Sequence, residues 1–306
     1  MFNTKPAGHI AALITIVIWA TTYVSTKVLL VSFKPVEILI FRFIMAYIAL
    51  WIACPKNFKT KSFKQEVVFI LAGLTGICLY YLLENIALTY TMASNVGVIV
   101  SVTPFFTAIM SHIFLKDEGK LEWNFFIGFL LAIAGISLIS FNGAELKLNP
   151  IGDCLALCAS LVWSIYSVLT KKIAGLGYNV IMATRRTFFY GIIFMMPAVS
   201  LMGVDWSIER FYDKVNLFNI LFLGLGASAM CFVTWSYAVK ILGAMHTSIY
   251  IYMVPVITVV TSVIVLGEAV TRLAIIGTIL TLTGLLISEH KFSLKRLYRI
   301  LTKQPA

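Results

Sequence analysis

Apolar runs of about 20 residues recur along the whole chain and are separated by short polar segments. A helix of this length crosses a hydrocarbon core of roughly 30 Å with every backbone polar group paired inside the segment. The composition agrees, since 60% of the 306 residues are hydrophobic and only 12% are charged. The sequence therefore predicts an all-α integral membrane protein without a separate soluble domain.

Counting the runs between loop residues predicts ten transmembrane helices. They cover residues 9–31, 35–54, 67–89, 94–115, 124–141, 151–172, 179–202, 216–239, 244–266 and 273–289. With the N-terminus inside, fifteen lysines and arginines fall on the cytoplasmic side and six on the outer side. Basic residues are enriched in cytoplasmic loops. We therefore expect a multi-pass plasma-membrane protein with both termini, including the basic tail 290–306, in the cytoplasm.

The net charge of +11 raises the alternative of a nucleic-acid partner. The lysines concentrate in the segment 56–64 and in the tail 290–306, however, as expected of loops beside anionic lipid. The lipid bilayer, and not nucleic acid, is the predicted partner of this charge. The five cysteines form no CxxC pair, so neither a disulfide framework nor a zinc site is indicated. We expect no metal and no cofactor.

The chain contains an internal repeat. Residue pairs match at an offset of 144 in the early spans and of 149–151 in the later ones. The pairs include Trp19 with Trp163, Arg42 with Arg186, Pro104 with Pro255, Gly128 with Gly277, and Gly135 with Gly284. Each copy, 9–141 and 151–289, holds five spans, and five is odd, so the second copy enters the membrane from the opposite side. Inverted repeats around a central cavity are typical of secondary transporters.

The segment "ALTYTMASNVGVIVSVTPFFTAIMSHIFLKDE", followed by "GFLLAIAGISLIS", resembles the hallmark of the EamA-type family of the drug/metabolite transporter superfamily. The second half repeats the pattern as "AVKILGAMHTSIYIYMVPVITVVTSVIVLGEAV" followed by "GTILTLTGLLIS". The resemblance covers essentially the whole chain. It implies a ten-helix transporter with a central cavity, usually an exporter of amino acids or other metabolites. The shared motif does not name the substrate.

The matched prolines, Pro104 and Pro255, each remove a backbone hydrogen bond from a predicted span. They are candidate hinges for alternating access, and a fixed bend that shapes the cavity is the alternative. The matched glycines predict close contact between helices. Glu118 and Glu268 follow the fourth and ninth spans, where capping and loop structure are the expected roles.

Arg42 and Arg186 lie about seven residues into matched spans, where a buried guanidinium needs an anion. That anion is a carboxylate from another helix or from a substrate, and snorkelling to the headgroups is the alternative. Arg185 points about 100° away from Arg186 around the helix, so one of the two is expected at the helix interface.

Aromatic and hydroxyl side chains form semi-polar faces on several spans. The candidate substrate-binding residues on or beside these faces are Trp19, Tyr23, Trp163, Tyr166, Trp235, His246 and Tyr250. Aromatic belts at the membrane surface explain some tryptophans in any membrane protein. These tryptophans lie well inside their spans, where an indole N–H needs a partner. A cavity with such walls suits a small zwitterion or an aromatic metabolite.

Glu84 is an acidic residue within the third span, and the repeat places Trp235 opposite it. It shares a helix face with Gly73 and Gly76, a small polar stripe that would be unfavourable against lipid. A carboxyl at mid-span costs roughly 2.5–3.5 kcal/mol, and such residues usually face a cavity or a partner. Glu84 lies nearer the outer end of its span than the centre, so its cost is smaller. The further polar candidates on or near this face are Tyr80, Asn85 and Asn95. We expect Glu84 to carry a coupled proton or to bind a substrate amino group, with a structural hydrogen bond to another helix as the alternative.

These features predict a secondary active transporter of a small-molecule substrate, with alternating access at a midplane cavity. Protons are a candidate coupling ion, and one copy of the chain is sufficient because it supplies both halves of the cavity. The sequence lacks a P-loop and the motifs HExxH and GxSxG, so neither an ATP-driven pump nor an enzyme is expected. A multipass channel or a membrane-embedded enzyme is the alternative.

Overall fold

The computed structural model describes residues 4–115, 123–140, 149–267 and 269–289. Glu118, Glu268 and the tail 290–306 lie outside these ranges. The described residues form helices, turns and loops and contain no β-strand. The predicted all-α class is therefore confirmed.

We number the long helices in chain order. They are α1 (Thr4–Leu29), α2 (Pro35–Ala53), α3 (Phe63–Tyr90), α4 (Ala93–Phe114), α5 (Trp123–Ser140), α6 (Pro150–Gly175), α7 (Val180–Met202), α8 (Lys214–Leu242), α9 (Ala244–Leu266) and α10 (Arg272–Glu289). Seven of those in the described ranges are long and apolar enough to cross a membrane: α1 to α4, α6, α8 and α9. The count of ten spans and their inverted arrangement stay predictions.

Local sequence signals fix where several helices begin. The side chains of Ser62, Asn179 and Asp213 accept hydrogen bonds from the first free backbone N–H groups of α3, α7 and α8. These are the residue types that N-caps favour, because a short polar side chain satisfies the unpaired amides of a first turn. Pro35 and Pro150 begin α2 and α6, where the missing N–H has no helical partner to lose.

The two helices that contain the matched prolines are both interrupted. In α4 a first helical segment, Ala93–Val100, ends two residues before a second one, Thr103–Phe114, begins. Pro104 is the second residue of the second segment. In α9 a 3₁₀ turn, Ile249–Met253, comes directly before the segment that holds Pro255. Proline cannot donate to the preceding turn, which explains a break at this point in each helix. The sequence therefore located both irregularities, and their use as hinges stays a prediction.

Two π-helical segments, which the sequence analysis did not predict, occupy matched positions. They are Gly73–Leu79 in α3 and Phe222–Met230 in α8. The first packs on α7 and the second packs on α2, so each joins one half of the chain to the other. A Cβ at Gly76 would overlap the Tyr166 ring, which shows how closely the halves approach there. The wider π turn is often found at functional sites.

Basic side chains of α7 contact the first turn of α3 and the loop before it. Arg186 pairs with Glu66, with 2.5 Å between Nη2 and Oε1. The guanidinium of Arg185 donates to the backbone carbonyls of Cys54 and Lys56. We call this set of contacts the arginine clasp. It fastens the α2–α3 segment of the first half to α7 of the second half.

A second clasp joins α2 to the loop before α8. Glu37, whose side chain is 1% exposed, receives the Arg210 guanidinium at 2.7 Å and the Asp205 N–H at 2.8 Å. It also accepts from the Lys34 N–H. Hydrogen bonds from the Ser207 N–H and hydroxyl lower the pKa of the exposed Asp205 carboxyl in the same loop. We call these contacts the glutamate clasp, and it fastens the second half to α2.

The helices α5 and α10 pack along each other through glycines. A Cβ at Gly135 would lie 2.4 Å from Thr281 Oγ1 and 2.5 Å from the Gly277 carbonyl oxygen. A Cβ at Gly284 would lie 2.5 Å from the Gly128 carbonyl oxygen. Small residues that allow backbones to approach are a common basis of helix association in membranes. The predicted glycine contacts are confirmed.

Gly135→Ala is expected to lower the stability of the folded protein. The added methyl group meets backbone atoms, which cannot rotate away, and overpacking of this kind costs about 1–3 kcal/mol. Gly175→Ala is the matched control, because no atom lies within 4 Å of the position that its Cβ would occupy and the helix gains a better former. Thermal unfolding of both purified variants in one detergent tests this, and equal Tm values would contradict it.

Candidate functional site

A cavity lies between helices of both halves, and we call it the aromatic cavity. Its walls come from α1, α3, α4, α6 and α9. The lining residues are Ile16, Trp19, Thr22, Tyr23, Tyr80, Tyr81, Glu84, Val100, Trp163, Ile251 and Val254. Five of the predicted site residues therefore meet here: Trp19, Tyr23, Tyr80, Glu84 and Trp163. The breaks in α4 and α9 lie beside the cavity, through Val100, Ile251 and Val254.

Glu84 is 1% exposed and supplies the acidic group among the described residues of this cavity. The Tyr80 and Tyr23 side chains line the same cavity and interact electrostatically with the Glu84 carboxyl. Oε1 of Glu84 has no hydrogen-bond partner within the described part of the chain. A buried polar atom without a partner is costly, and a ligand that donates to it recovers that cost. A proton or a cationic group at this position would satisfy Oε1.

Tryptophan rings form the wall of the cavity. The ring centroid of Trp19 lies 5.2 Å from that of Trp163 in a T-shaped contact and 5.1 Å from that of Trp235. The Trp19 indole N–H donates to the Ala227 carbonyl at 2.8 Å, within the π segment of α8. Trp235 is fully buried behind this wall, and its N–H has no partner in the described ranges. Such rings can hold an apolar group or a cation.

Tyr166 lies on the other side of the same wall. Its ring centroid is 4.9 Å from that of Trp163, but its side chain lines a neighbouring cavity between α6, α7 and α8. Gly76 allows this position, because any Cβ there would overlap the Tyr166 ring. Tyr166, a predicted site residue, is thus next to the aromatic cavity, and the Trp163 ring lies between them.

Arg42 lies behind the aromatic cavity and is fully buried. Its Nε donates to the Ser228 hydroxyl at 2.9 Å, and its guanidinium carbon is 4.4 Å from the centroid of the Tyr81 ring. Both terminal nitrogens have no partner within the described residues. The sequence predicted an anion beside this arginine, whereas the structure supplies a hydroxyl and an aromatic ring. Glu84 is close enough for a Coulombic interaction with Arg42, although no direct ion pair between them is described.

Arg186, the repeat partner of Arg42, lies in a different environment. Its side chain is 31% exposed and forms the arginine clasp with Glu66 instead of reaching either cavity. The physical reason is that α3 begins beside α7 and brings a carboxylate within its reach. The structure therefore separates Arg186 from the predicted site, and the more buried arginine of α7 is Arg185.

The other predicted polar residues lie outside the aromatic cavity. The Asn85 side chain donates to the Pro35 carbonyl. The Asn95 side chain donates to the Thr91 hydroxyl. The Tyr250 hydroxyl is 2.6 Å from Nδ1 of His9 and connects α9 to α1. His246 is exposed. These placements indicate structural contacts for Asn85, Asn95 and Tyr250.

The sequence did not predict six residues of the cavity wall, of which two, Tyr81 and Thr22, carry hydroxyl groups. Tyr81 precedes Glu84 by three residues, and Thr22 follows Trp19 by three. Residues three or four apart share a helix face, so this spacing was sufficient to include both. The hydroxyl groups of Thr184, Thr187 and Ser236, described below, carried no comparable signal, because they come from helices other than that of Tyr166.

Comparison with known proteins adds independent support. The profile of the EamA-like transporter family matches residues 6–141 and again residues 150–289. An uncharacterized transporter of Archaeoglobus fulgidus is 24% identical over 288 residues, which cover 92% of this chain and 97% of that protein. A probable terminal-alkyne amino-acid exporter of Streptantibioticus cattleyicolor is also 24% identical, over 92% of this chain and 93% of that protein.

A solved structure shares the fold with a TM-score of 0.68 at 17% sequence identity. It covers 93% of this chain and 98% of its own. The matched family segments together extend over most of the chain, and the helical structure and apolar spans agree with that match. The chain therefore belongs to the EamA-like transporter family.

Proposed function

We propose that the protein is a secondary active transporter that exports amino acids or related small metabolites. The observation that carries this proposal is the buried Glu84 carboxyl in an aromatic cavity whose walls come from both halves of the chain. A substrate ammonium group would satisfy Oε1 of Glu84, while Trp19 and Trp163 would contact an apolar side chain. The relative named as a probable amino-acid exporter supports the same substrate class.

Alternating access would come from movement of the two halves around this cavity. The interruptions in α4 and α9, beside Pro104 and Pro255, are the proposed hinges, because they lie next to the cavity lining and lack regular helical hydrogen bonds. Glu84 would then hold either a proton or the substrate ammonium, never both. Exclusive occupancy of one carboxyl is a simple basis for exchanging an outgoing substrate for an incoming proton.

Transport by purified protein in lipid vesicles tests this proposal. Vesicles loaded with radiolabelled leucine or phenylalanine are expected to release it with saturable kinetics, faster when an opposing proton gradient or external unlabelled amino acid is present. A channel would release either amino acid without saturation and without acceleration by external unlabelled amino acid. Complete absence of amino-acid flux in both directions would overturn the proposed function.

The charge distribution predicts that the loop 56–64 faces the cytoplasm and that the loop around 205–214 faces outward. Single cysteines placed in each loop, on a background without the five native cysteines, are expected to react differently with a membrane-impermeant maleimide in intact cells. The 205–214 position should be labelled directly and the 56–64 position only after the membrane is opened. Direct labelling of the 56–64 loop would contradict the orientation and the inverted repeat together.

A further inference from the structure

A second cavity lies between α6, α7 and α8, and we call it the hydroxyl cavity. Its polar lining consists of Tyr166, Thr170, Thr184, Thr187, Ser236 and Lys240. Among the described residues that line it, Lys240 carries the charge and none is acidic. Lys240 is exposed and therefore lies at the mouth of the cavity. The charge of this lining is opposite to that of the aromatic cavity.

Two hydroxyls in this lining, those of Thr170 and Thr184, have no hydrogen-bond partner in the described part of the chain and are available for a ligand. Thr187 donates to the Ala183 carbonyl of its own helix, as buried threonines commonly do. Oγ1 of Thr184, by contrast, has no partner in the described part of the chain, although the residue is only 4% exposed. A buried hydroxyl without a partner is unfavourable, and an oxygen of a ligand would satisfy it.

The hydroxyl groups of Thr184 and Thr187 occur in one half of the chain only, whereas Thr170 of the same lining matches Thr26 in the first half. At the repeat offset of 144, Thr184 corresponds to Ile40 and Thr187 to Phe43, and both of these apolar residues are fully buried. The first half therefore has buried apolar side chains at these two positions. Because the fold forms there without hydroxyl groups at these two positions, the fold itself does not require those of Thr184 and Thr187.

The hydroxyl cavity and the aromatic cavity are neighbours. Tyr166 belongs to the first and Trp163 to the second, and their ring centroids are 4.9 Å apart. One aromatic layer thus separates a lysine and free hydroxyl from a buried carboxyl. By the proposed orientation, Lys240, Lys171 and Lys172 lie on the cytoplasmic side.

We propose that the hydroxyl cavity is a second substrate-binding site, which binds the carboxylate of a small organic molecule through Lys240 and the Thr184 hydroxyl. This inference rests on the proposed export function, because a cytoplasmic site of this kind would load the substrate before it passes the Trp163–Tyr166 layer. The two cavities divide recognition between them. The hydroxyl cavity binds the carboxylate, and Glu84 binds the ammonium, since Glu84 would repel a carboxylate in the aromatic cavity.

Two probes that each carry one charge separate the sites: 3-phenylpropanoate has the carboxylate, and phenethylamine has the ammonium. Their affinities for the purified full chain are measured from ligand-induced shifts of Tm. In Lys240→Gln and in Thr184→Val, we expect 3-phenylpropanoate to bind about tenfold more weakly, as for loss of a hydrogen bond to a charged group. Phenethylamine binding is expected to be unchanged in both variants and weakened in Glu84→Gln.

Lys64→Gln is the charge-matched control, since this exposed lysine lies on the same side and lines neither cavity. It should leave both affinities unchanged. Absence of 3-phenylpropanoate binding to the wild type, or unchanged binding in both Lys240→Gln and Thr184→Val, would overturn the second site. Amino-acid flux in vesicles reports separately on the export function. If flux is present while carboxylate binding is absent, the second site is refuted and the exporter is not.

Discussion

In vesicles, the Glu84→Gln variant is expected to fold normally and to bind an amino-acid substrate roughly 10- to 100-fold more weakly than the wild type. That range corresponds to the loss of a hydrogen bond between charged groups, about 1.5–3 kcal/mol. Glutamine keeps the shape of the side chain and an oxygen acceptor but cannot titrate. Any transport that remains is expected to lose its dependence on the proton gradient. Initial rates of phenylalanine exchange, measured with and without that gradient, test both effects.

Glu37→Gln is the matched control for this substitution. Glu37 is as buried as Glu84, but its oxygens accept from the Arg210 guanidinium and from two backbone N–H groups. Its neutralisation is expected to lower Tm and to leave substrate affinity and pH dependence unchanged. Glu84→Gln is expected to show the opposite pattern, with an unchanged Tm but altered substrate affinity and pH dependence. The reason is that Oε1 of Glu84 has no partner within the described structure, so the substitution removes no protein contact of that atom. Normal, proton-dependent transport by Glu84→Gln would exclude a coupling role, and failure to fold would favour a structural one.

Arg42→Ala is expected to reduce the yield of folded protein severely. The substitution removes a fully buried side chain, its hydrogen bond to Ser228 and its contact with the Tyr81 ring. A desolvated cation–π contact contributes about 2 kcal/mol, and the empty space left behind adds a further cost. Arg42→Lys should be milder because it keeps the charge and most of the volume, although an ammonium cannot stack flat on the ring. Size-exclusion profiles and Tm of the detergent-solubilised variants measure the difference.

The repeat supplies the control for this experiment as well. Arg186→Ala changes the same residue type at the equivalent sequence position, but its partly exposed pair with Glu66 is expected to contribute no more than about 1 kcal/mol. A loss of yield in Arg186→Ala as large as that in Arg42→Ala would show that burial does not govern the effect. Wild-type yield and transport in Arg42→Ala would mean that this arginine has no structural role.

The sequence was informative wherever one residue type determines backbone geometry by itself. Pro104 and Pro255 located the interruptions of α4 and α9, because a proline cannot complete the helical hydrogen bonds of its own turn. The glycines of α5 and α10 predicted a close contact for a similar local reason. The π segments were not predictable in this way, since the register of a π turn depends on what packs against it. For the first π segment, Gly73 and Gly76 predicted only a helix face with small residues.

For the candidate site, helical spacing was sufficient within one helix and insufficient between helices. The positions of Tyr80 and Glu84 on one face followed from a separation of four residues, and Tyr81 could have been added by the same rule. Arg186 shows the limit of the repeat alignment. It matches Arg42 in sequence, but its neighbour Glu66 belongs to the other half of the chain. Thr184, Ser236 and Lys240 converge from two helices, and only the packing of those helices shows that they share a cavity.

The arginine and glutamate clasps impose an order on the biosynthesis of the protein. Glu66 is synthesised 120 residues before Arg186, and Glu37 is synthesised 173 residues before Arg210. At typical translation rates, Glu66 emerges roughly 6–24 s ahead of its partner. During this interval the nascent first half resides in the membrane with two carboxylates whose final partners do not yet exist. Closure of both clasps is therefore a late event of assembly, which takes place only after α7 and the loop before α8 have left the ribosome.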